Sequence, residues 1–527
     1  MDLDLTASDF SVAQIIFLIS GLWLVYQVIR AVYNISPFHP LHNIPGPKLA
    51  AATYLPEFYH DVILVGRYSH AIQRMHEEYG PIVRINPRET HCNDVGFSDE
   101  IYALGGRKRD KPFHQINGSA CSTFSIGTGN AFGTKDHDLH RSRRGPVAKF
   151  FSYSMIAQLE SEIHDLVHKL CDKLLAQSGK EEPIDIAMAY SCFTSDAIFG
   201  YSFGESQGLL DQQGWYPNYR EATLAVLKPV FVLRFFPFLL KLQDLAILFM
   251  NYLPEDTALL LRSLKITIPG LVSKAKAELN AGIHRDRPTV FGTLLESDLD
   301  IYEKRSDRLA EEAVAVVNAG TETTSWALAV ITFHLISQPQ TLSKLKKELE
   351  ETVKDPTKLP PWTVLEKLPY LGAVIQEGLR LSYGVSARTS REPTQEHLIY
   401  RGEFNKKPVQ YVLPKGYAIG MSAAITHHDE SVFPDSHSFI AERWLDENNQ
   451  RRKDLERGLL AFSKGSRACL GKNLALCELH LSLTALVLRV VPRMTLFETT
   501  QRDVAYDHDM FIPRPVSEST GVRVTIE

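Results

Sequence analysis

Apolar and polar positions alternate with several different periods along this chain of 527 residues, and the changes of period mark its elements. Residues 12–32 (VAQIIFLISGLWLVYQVIRAV) are almost continuously apolar. Residues 68–79 repeat apolar side chains at helical spacing, and residues 81–85 then read as a strand closed by Asn86-Pro87. Residues 103–134 are rich in Gly, Ser and Asn, without a period, and read as a long loop. Loops of that length in compact domains are usually functional or disordered. Residues 224–252 are crowded with Phe and Leu and read as helical core. Residues 308–339 predict one long helix, and Lys472–Arg489 predicts another.

The first apolar run is long enough for a membrane span, which takes about 20 residues. Gln14, Gln27 and Arg30 interrupt it, but the last two lie near its end, where long polar side chains can snorkel. Trp23 and Tyr26 suit an interfacial belt. No small-residue cleavage site follows, so a retained anchor is expected rather than a removed leader. Asp2, Asp4 and Asp9 precede the run, whereas Arg30 and Lys48 follow it with no acid before Glu57. That asymmetry places residues 1–11 in the lumen and the bulk of the chain on the cytoplasmic side. Residues 33–50 include His42-Asn43-Ile44-Pro45-Gly46-Pro47, a stiff, proline-fixed exit.

Composition narrows the class. Length alone would suggest roughly three or four domains. No low-complexity linker divides residues 51–527 and no internal repeat is visible, so one large, mostly helical domain is expected. A net charge of −5 argues against bulk nucleic-acid binding. The six cysteines, Cys92, Cys121, Cys171, Cys192, Cys469 and Cys477, are too scattered for a disulfide scaffold or a zinc site. Cys477 reads as a packing residue. Asn34 and Asn117 head sequons that would matter only if they faced the lumen.

Cys469 stands apart. It sits in Phe462-Ser463-Lys464-Gly465-Ser466-Arg467-Ala468-Cys469-Leu470-Gly471, directly before a helix. A cysteine thiolate is the haem ligand that pushes electron density onto iron and favours O–O cleavage. Positive charge and a helix amino end both favour the thiolate. Gly465 permits a tight turn, and Gly471 lets backbone approach a flat cofactor. Arg467 supplies charge near the sulfur, or pairs with a haem propionate.

Polar residues within the long predicted helix are a second irregularity. Ala319-Gly320-Thr321-Glu322-Thr323-Thr324 places a helix-weakening glycine and a carboxylate in an apolar element. Such violations often mark function. Glu377-Gly378-Leu379-Arg380 offers an acid and a base at i and i+3, which can pair on one helix.

The Cys469 loop resembles the haem-binding signature Phe-x-x-Gly-x-Arg-x-Cys-x-Gly of the cytochrome P-450 superfamily, with every fixed position present. The stretches PLHNIPGPKLAAATYLPEFYHDV, YGPIVRINPRETH and LRLSYGVSAR resemble fungal members of secondary metabolism, the group of trichodiene oxygenase and its relatives. The resemblance runs from about Pro45 to the carboxyl terminus. It implies a mainly α fold with small β-sheets, preceded here by one transmembrane helix.

It further implies haem b, with Cys469 as the iron ligand. Phe462, Gly465, Arg467 and Gly471 would shape the ligand loop. His140 and Arg144 match the spacing of the family's Trp-x-x-x-Arg propionate contacts, with His140 replacing Trp. Arg391 fits the offset of a further propionate arginine, and Arg388 is the alternative. Glu322 and Thr323 match the acid–alcohol pair that serves oxygen activation, with Ala319 and Gly320 leaving room for O2 and substrate. Arg443, in a segment resembling Phe-x-Pro-Glu-Arg-Phe/Trp with Ala441 in place of proline, would join Glu377 and Arg380 in a structural triad. Residues 224–252 would roof the substrate pocket and dip into the bilayer.

The implied activity is insertion of one oxygen atom from O2 into a hydrophobic small molecule, a terpenoid or similar secondary-metabolite intermediate, by hydroxylation or epoxidation. Electrons would come from NADPH through NADPH-cytochrome P-450 reductase, with cytochrome b5 as an optional second donor. Lys464, Lys472, Arg141 and Arg143 would receive the reductase. The setting would be the endoplasmic reticulum membrane. Two alternatives remain open: a haem-thiolate isomerase or dehydratase that does not use O2, and a non-enzymatic haem-binding protein.

Overall fold

A computed structural model describes residues 12–116, 129–242, 252–283 and 288–527. The lumenal reading of residues 1–11, the Asn117 sequon and Cys121 fall outside them. The first helix spans Val12–Ile35, three residues beyond the expected end. At 1.5 Å per residue its 24 residues extend about 36 Å. Its apolar side chains are exposed, so it is not a core helix of the domain. It is long and apolar enough to cross a membrane.

Its exit is fastened rather than loose. The buried Asn34 side chain donates to the Ala52 carbonyl at 2.8 Å, and Arg84 Nη1 donates to the Asn34 carbonyl at 2.9 Å. Asn34 is therefore committed to packing and is not presented as a glycan acceptor.

The helix Tyr68–Tyr79 precedes strand Ile82–Asn86. That strand pairs antiparallel with Glu89–Cys92, which pairs in parallel with Ala418–Gly420. A hairpin of Leu398–Phe404 and Lys407–Leu413 lies beyond. The remaining sheets are as small: Ile184–Asp185, Arg523–Ile526 and Met494–Leu496 form one. The core is helical. The long helix runs Ser306–Ser337, packed against Ile186–Phe203, and the cysteine loop leads into Lys472–Arg489.

Two expectations needed adjustment. The long helix stops at Ser337 because Pro339, which lacks an amide hydrogen, opens the next helix, Pro339–Thr352. Of residues 224–252, expected as helical core, the described part is broken rather than continuous. Tyr219–Leu227 and Val230–Phe235 are separate, with Pro229 between them, and a 3₁₀ turn follows at Pro237–Leu242.

One buried ion cluster ties helix Pro369–Ser382 to the segment before the cysteine loop. Arg380 donates to both oxygens of Glu377, at 2.8 and 2.9 Å. Arg443 Nε and the Ile440 amide reach Glu377 Oε1 at 3.0 and 2.9 Å, and Trp444 Nε1 reaches Oε2 at 2.8 Å. Arg380 also donates to the carbonyls of His427, Ser436 and Ser438. Every lone pair and proton is used, which is the condition under which buried charges are tolerated. Glu377→Ala should lower stability by about 3–5 kcal/mol, because Arg380 is left charged and uncompensated. The urea midpoint would show it, and an unchanged midpoint would contradict it.

Candidate haem and substrate site

A cavity of about 350 Å³ lies between the long helix and the cysteine loop. Its wall includes Ala319 and Thr323 on one element and Cys469 on the other. Among the described cysteines only Cys469 has exposed surface, and that surface faces the cavity, not bulk solvent. Burial therefore still pushes its thiol up, while the Gly471 amide, Arg144 and Lys472 pull it back.

The loop geometry follows from its glycines. Gly465 adopts φ +73°, and a Cβ there would lie 2.1 Å from the Tyr102 carbonyl oxygen, so only glycine fits. The Cys469 amide donates to the Phe462 carbonyl at 2.8 Å and closes the turn. Gly471 has ordinary φ, borders the cavity, and would meet no protein atom with an added Cβ. Protein packing does not demand glycine there. Phe462 also borders the cavity, with the Lys472 ammonium over its ring.

Basic side chains converge on the same cavity. His140, Arg144, Arg391 and Arg467 all border it. Among the described residues none of the four lies within ion-pair distance of a carboxylate. Arg144, on helix His137–Phe150, makes no hydrogen bond there either, and burial lowers its affinity for a proton. Burial does the same to Arg391, which donates only to the Ser390 and Thr389 carbonyls and weakly to Ser463 Oγ. Burial, Arg467 and other cations hold His140 neutral, down to about 2, and its Nδ1 is buried without a partner.

Arg467 differs from the other three. It donates to the carbonyls of Arg109, Thr134 and Lys135 at 3.1, 2.7 and 2.6 Å, so its guanidinium splints the loop. Burial and Arg391 bring it down to about 9. Arg388 is spoken for: it is ion-paired with Glu57, Asp61 and Glu89. Of the two candidate arginines, Arg391 is the one free of carboxylates. A thiol ringed by unbalanced cations fits a flat dianionic iron macrocycle, whose carboxylates would supply the missing charge.

On the long helix, Thr323 Oγ1 donates to the Ala319 carbonyl at 2.8 Å. Glu322 is buried and ion-paired with Arg220 at 2.5 Å, while its Oε2 has no partner. Burial pushes the Glu322 carboxyl up, and Arg220 and Arg514 limit the shift. Gly320 is explained by packing: a Cβ would lie 2.7 Å from Ile198 Cγ1 on the neighbouring helix. Gly320 also borders the cavity, so close packing on Ile198 adds to the expected room for O2 and substrate.

Sequence reasoning missed Arg220, which sits 102 residues from Glu322. It also missed Glu478, a cavity-bordering carboxyl on the cysteine helix pushed up to about 8 by burial. Nothing local in the sequence flagged either. Arg143, expected on the reductase-facing surface, is instead buried and paired with Glu303 at 2.8 Å. Lys464 is largely covered and bonded to Ser98. Arg141 and Lys472 are exposed.

The family model for Cytochrome P450 matches residues 53–493. Cytochrome P450 monooxygenase ppzE of Metarhizium majus is 41% identical, covering 85% of this chain and 95% of its own length. Conidiogenone synthase PchP450 of Penicillium rubens is 37% identical, covering 94% and 96%. Cytochrome P450 monooxygenase TRI4 of Fusarium sporotrichioides is 32% identical, covering 96% and 94%. With the cavity-facing thiol, the cation ring and these matches together, the chain belongs to the cytochrome P450 family of oxidoreductases.

Proposed function

We propose that this cytochrome P450 monooxygenase holds haem b through Cys469 and oxygenates a hydrophobic intermediate of fungal secondary metabolism, a terpenoid by analogy with its relatives. The observation that carries the reading is the thiol open only to a cavity that Arg144 and Arg391 also border without a carboxylate partner among the described residues. Bound haem would supply reductive activation of O2, with one oxygen atom passing to substrate and the other leaving as water after two electrons and two protons enter.

The remaining roles belong to the chain. Arg144, Arg391 and His140 orient the propionates. Arg467 fixes the loop through backbone carbonyls, and Gly471 allows the backbone close to the macrocycle. Thr323, anchored on Ala319, holds a water at its hydroxyl. Glu322 carries a proton at Oε2, the oxygen that Arg220 leaves vacant. Proton transfer by positioned groups of this kind contributes about 10²- to 10⁴-fold. The apolar helix Val12–Ile35 anchors the domain on the cytoplasmic face of the endoplasmic reticulum. The partner is NADPH-cytochrome P-450 reductase, with cytochrome b5 as an optional donor. Exposed Arg141 and Lys472 receive its acidic surface.

Microsomes holding the chain and a reductase, given NADPH, ¹⁸O2 and a terpenoid panel, should yield a product with one ¹⁸O. Isomerised product without label would contradict the reading. Thr323→Ala should lower product formed per NADPH by at least about 10-fold while peroxide rises. Unchanged coupling would remove Thr323 from the mechanism. Arg141→Glu with Lys472→Glu should slow reductase-supported turnover and flatten its salt dependence, since surface charge mainly sets encounter rate. A rate and salt profile like the wild type would refute that docking surface.

A further inference from the structure

The cavity wall is apolar over most of its area but not at its roof. Arg234, on helix Val230–Phe235, borders it and is 7% exposed. Its Nη1 meets Glu57 Oε1 at 3.2 Å and Asp61 Oδ2 at 3.3 Å. Its Nε is buried without a partner, and Nη2 makes no hydrogen bond with a described residue. Thr223, on helix Tyr219–Leu227, also borders the cavity, and its Oγ1 is buried without a partner.

The polar groups beside Arg234 are already committed. The Arg388 guanidinium faces Glu57, Asp61 and Glu89. Gln115 donates to Glu89 and Ser390 Oγ and accepts from the Ser390 amide. An unmade hydrogen bond in a buried wall is costly, and a ligand oxygen met by Arg234 Nη2, or by Thr223 Oγ1 after a turn about its Cα–Cβ bond, would offset that cost.

Charge balance sets the kind of oxygen. Glu57, Asp61 and Glu89 stand against the guanidiniums of Arg234 and Arg388, and His114 Nε2 lies 2.9 Å from Glu57. Among the described residues of this roof cluster no positive charge is left over for a carboxylate.

Resting on the monooxygenase reading, we propose that the substrate arrives already carrying a neutral oxygen function, a ketone, ester or alcohol. Its oxygen accepts from Arg234, and Thr223 supplies a second polar contact. A plain hydrocarbon leaves both groups unmatched and is selected against. An earlier oxygen-installing step must therefore supply this substrate.

Spin-state titration of the haem-loaded full chain with dodecane, 2-dodecanone and dodecanoate tests this. Dodecane is driven from water most strongly, so a preference for the ketone must come from polar contact. The ketone should bind at least about 10-fold tighter than dodecane, because a site built to hydrogen-bond rejects the analogue lacking the partner. It should also outbind dodecanoate. Arg234→Met should reduce the ketone-to-alkane ratio to about 1, and Arg234→Lys should retain part of it. Thr223→Val, which leaves the ion cluster whole, should lower the ratio about 3-fold and serves if Arg234→Met does not fold.

Equal affinities, no shift with any probe, tightest binding of dodecanoate, or an unchanged ratio in the variants would overturn the proposal. The ferrous–CO spectrum of the same samples separates the two readings. A thiolate-type band with no discrimination sinks only the oxygen anchor, whereas its absence from the wild type sinks the haem-thiolate assignment.

Discussion

Uncompensated positive charge lining a cavity is the constraint on which the site depends. Burial disfavours the charged forms of Arg144 and Arg391, and no carboxylate among the described residues relieves them. A protein interior tolerates such charge only when a partner arrives. The same cavity presents the Cys469 thiol, whose ionisation is opposed by burial and aided by Arg144 and Lys472. Thiol and cations thus call for complementary halves of one ligand: a metal for the sulfur and two carboxylates for the guanidiniums.

The rest of the fold keeps these halves in register. Glu377 holds Arg380, Arg443 and Trp444 together, and Arg380 pins the carbonyls that lead into the cysteine loop. Arg467 fastens that loop to the backbone ahead of the Arg144 helix. On the distal side, Gly320 lets the long helix approach Ile198 closely, and Glu322 is braced by Arg220 from the roof. Roof, long helix and proximal loop are therefore coupled by a few buried polar contacts rather than by apolar packing alone.

What the sequence made legible was local. The loop from Phe462 to Gly471, the Glu377–Arg380 spacing and the Glu322–Thr323 pair each need particular residue types within a few positions. The helices Tyr68–Tyr79 and Lys472–Arg489 have the bounds that their apolar period indicates. What stayed hidden were partners far apart in the chain. Arg220 with Glu322, Arg143 with Glu303, and Arg388 with three carboxylates are joined only by the fold. Gly320 shows the same limit, since its close contact with Ile198 comes from another helix. In residues 224–252 the apolar richness indicated helical core but not where it breaks, which Pro229 between Tyr219–Leu227 and Val230–Phe235 supplies.

The most direct measurement of the central claim is the absorption spectrum of the reduced, carbon monoxide-treated protein, beside Cys469→His. Wild type should show the strongly red-shifted Soret band of thiolate-ligated ferrous haem, and Cys469→His should bind haem but show the ordinary histidine-ligated position. A wild-type band at the histidine position, or the same spectrum in both proteins, would contradict the account.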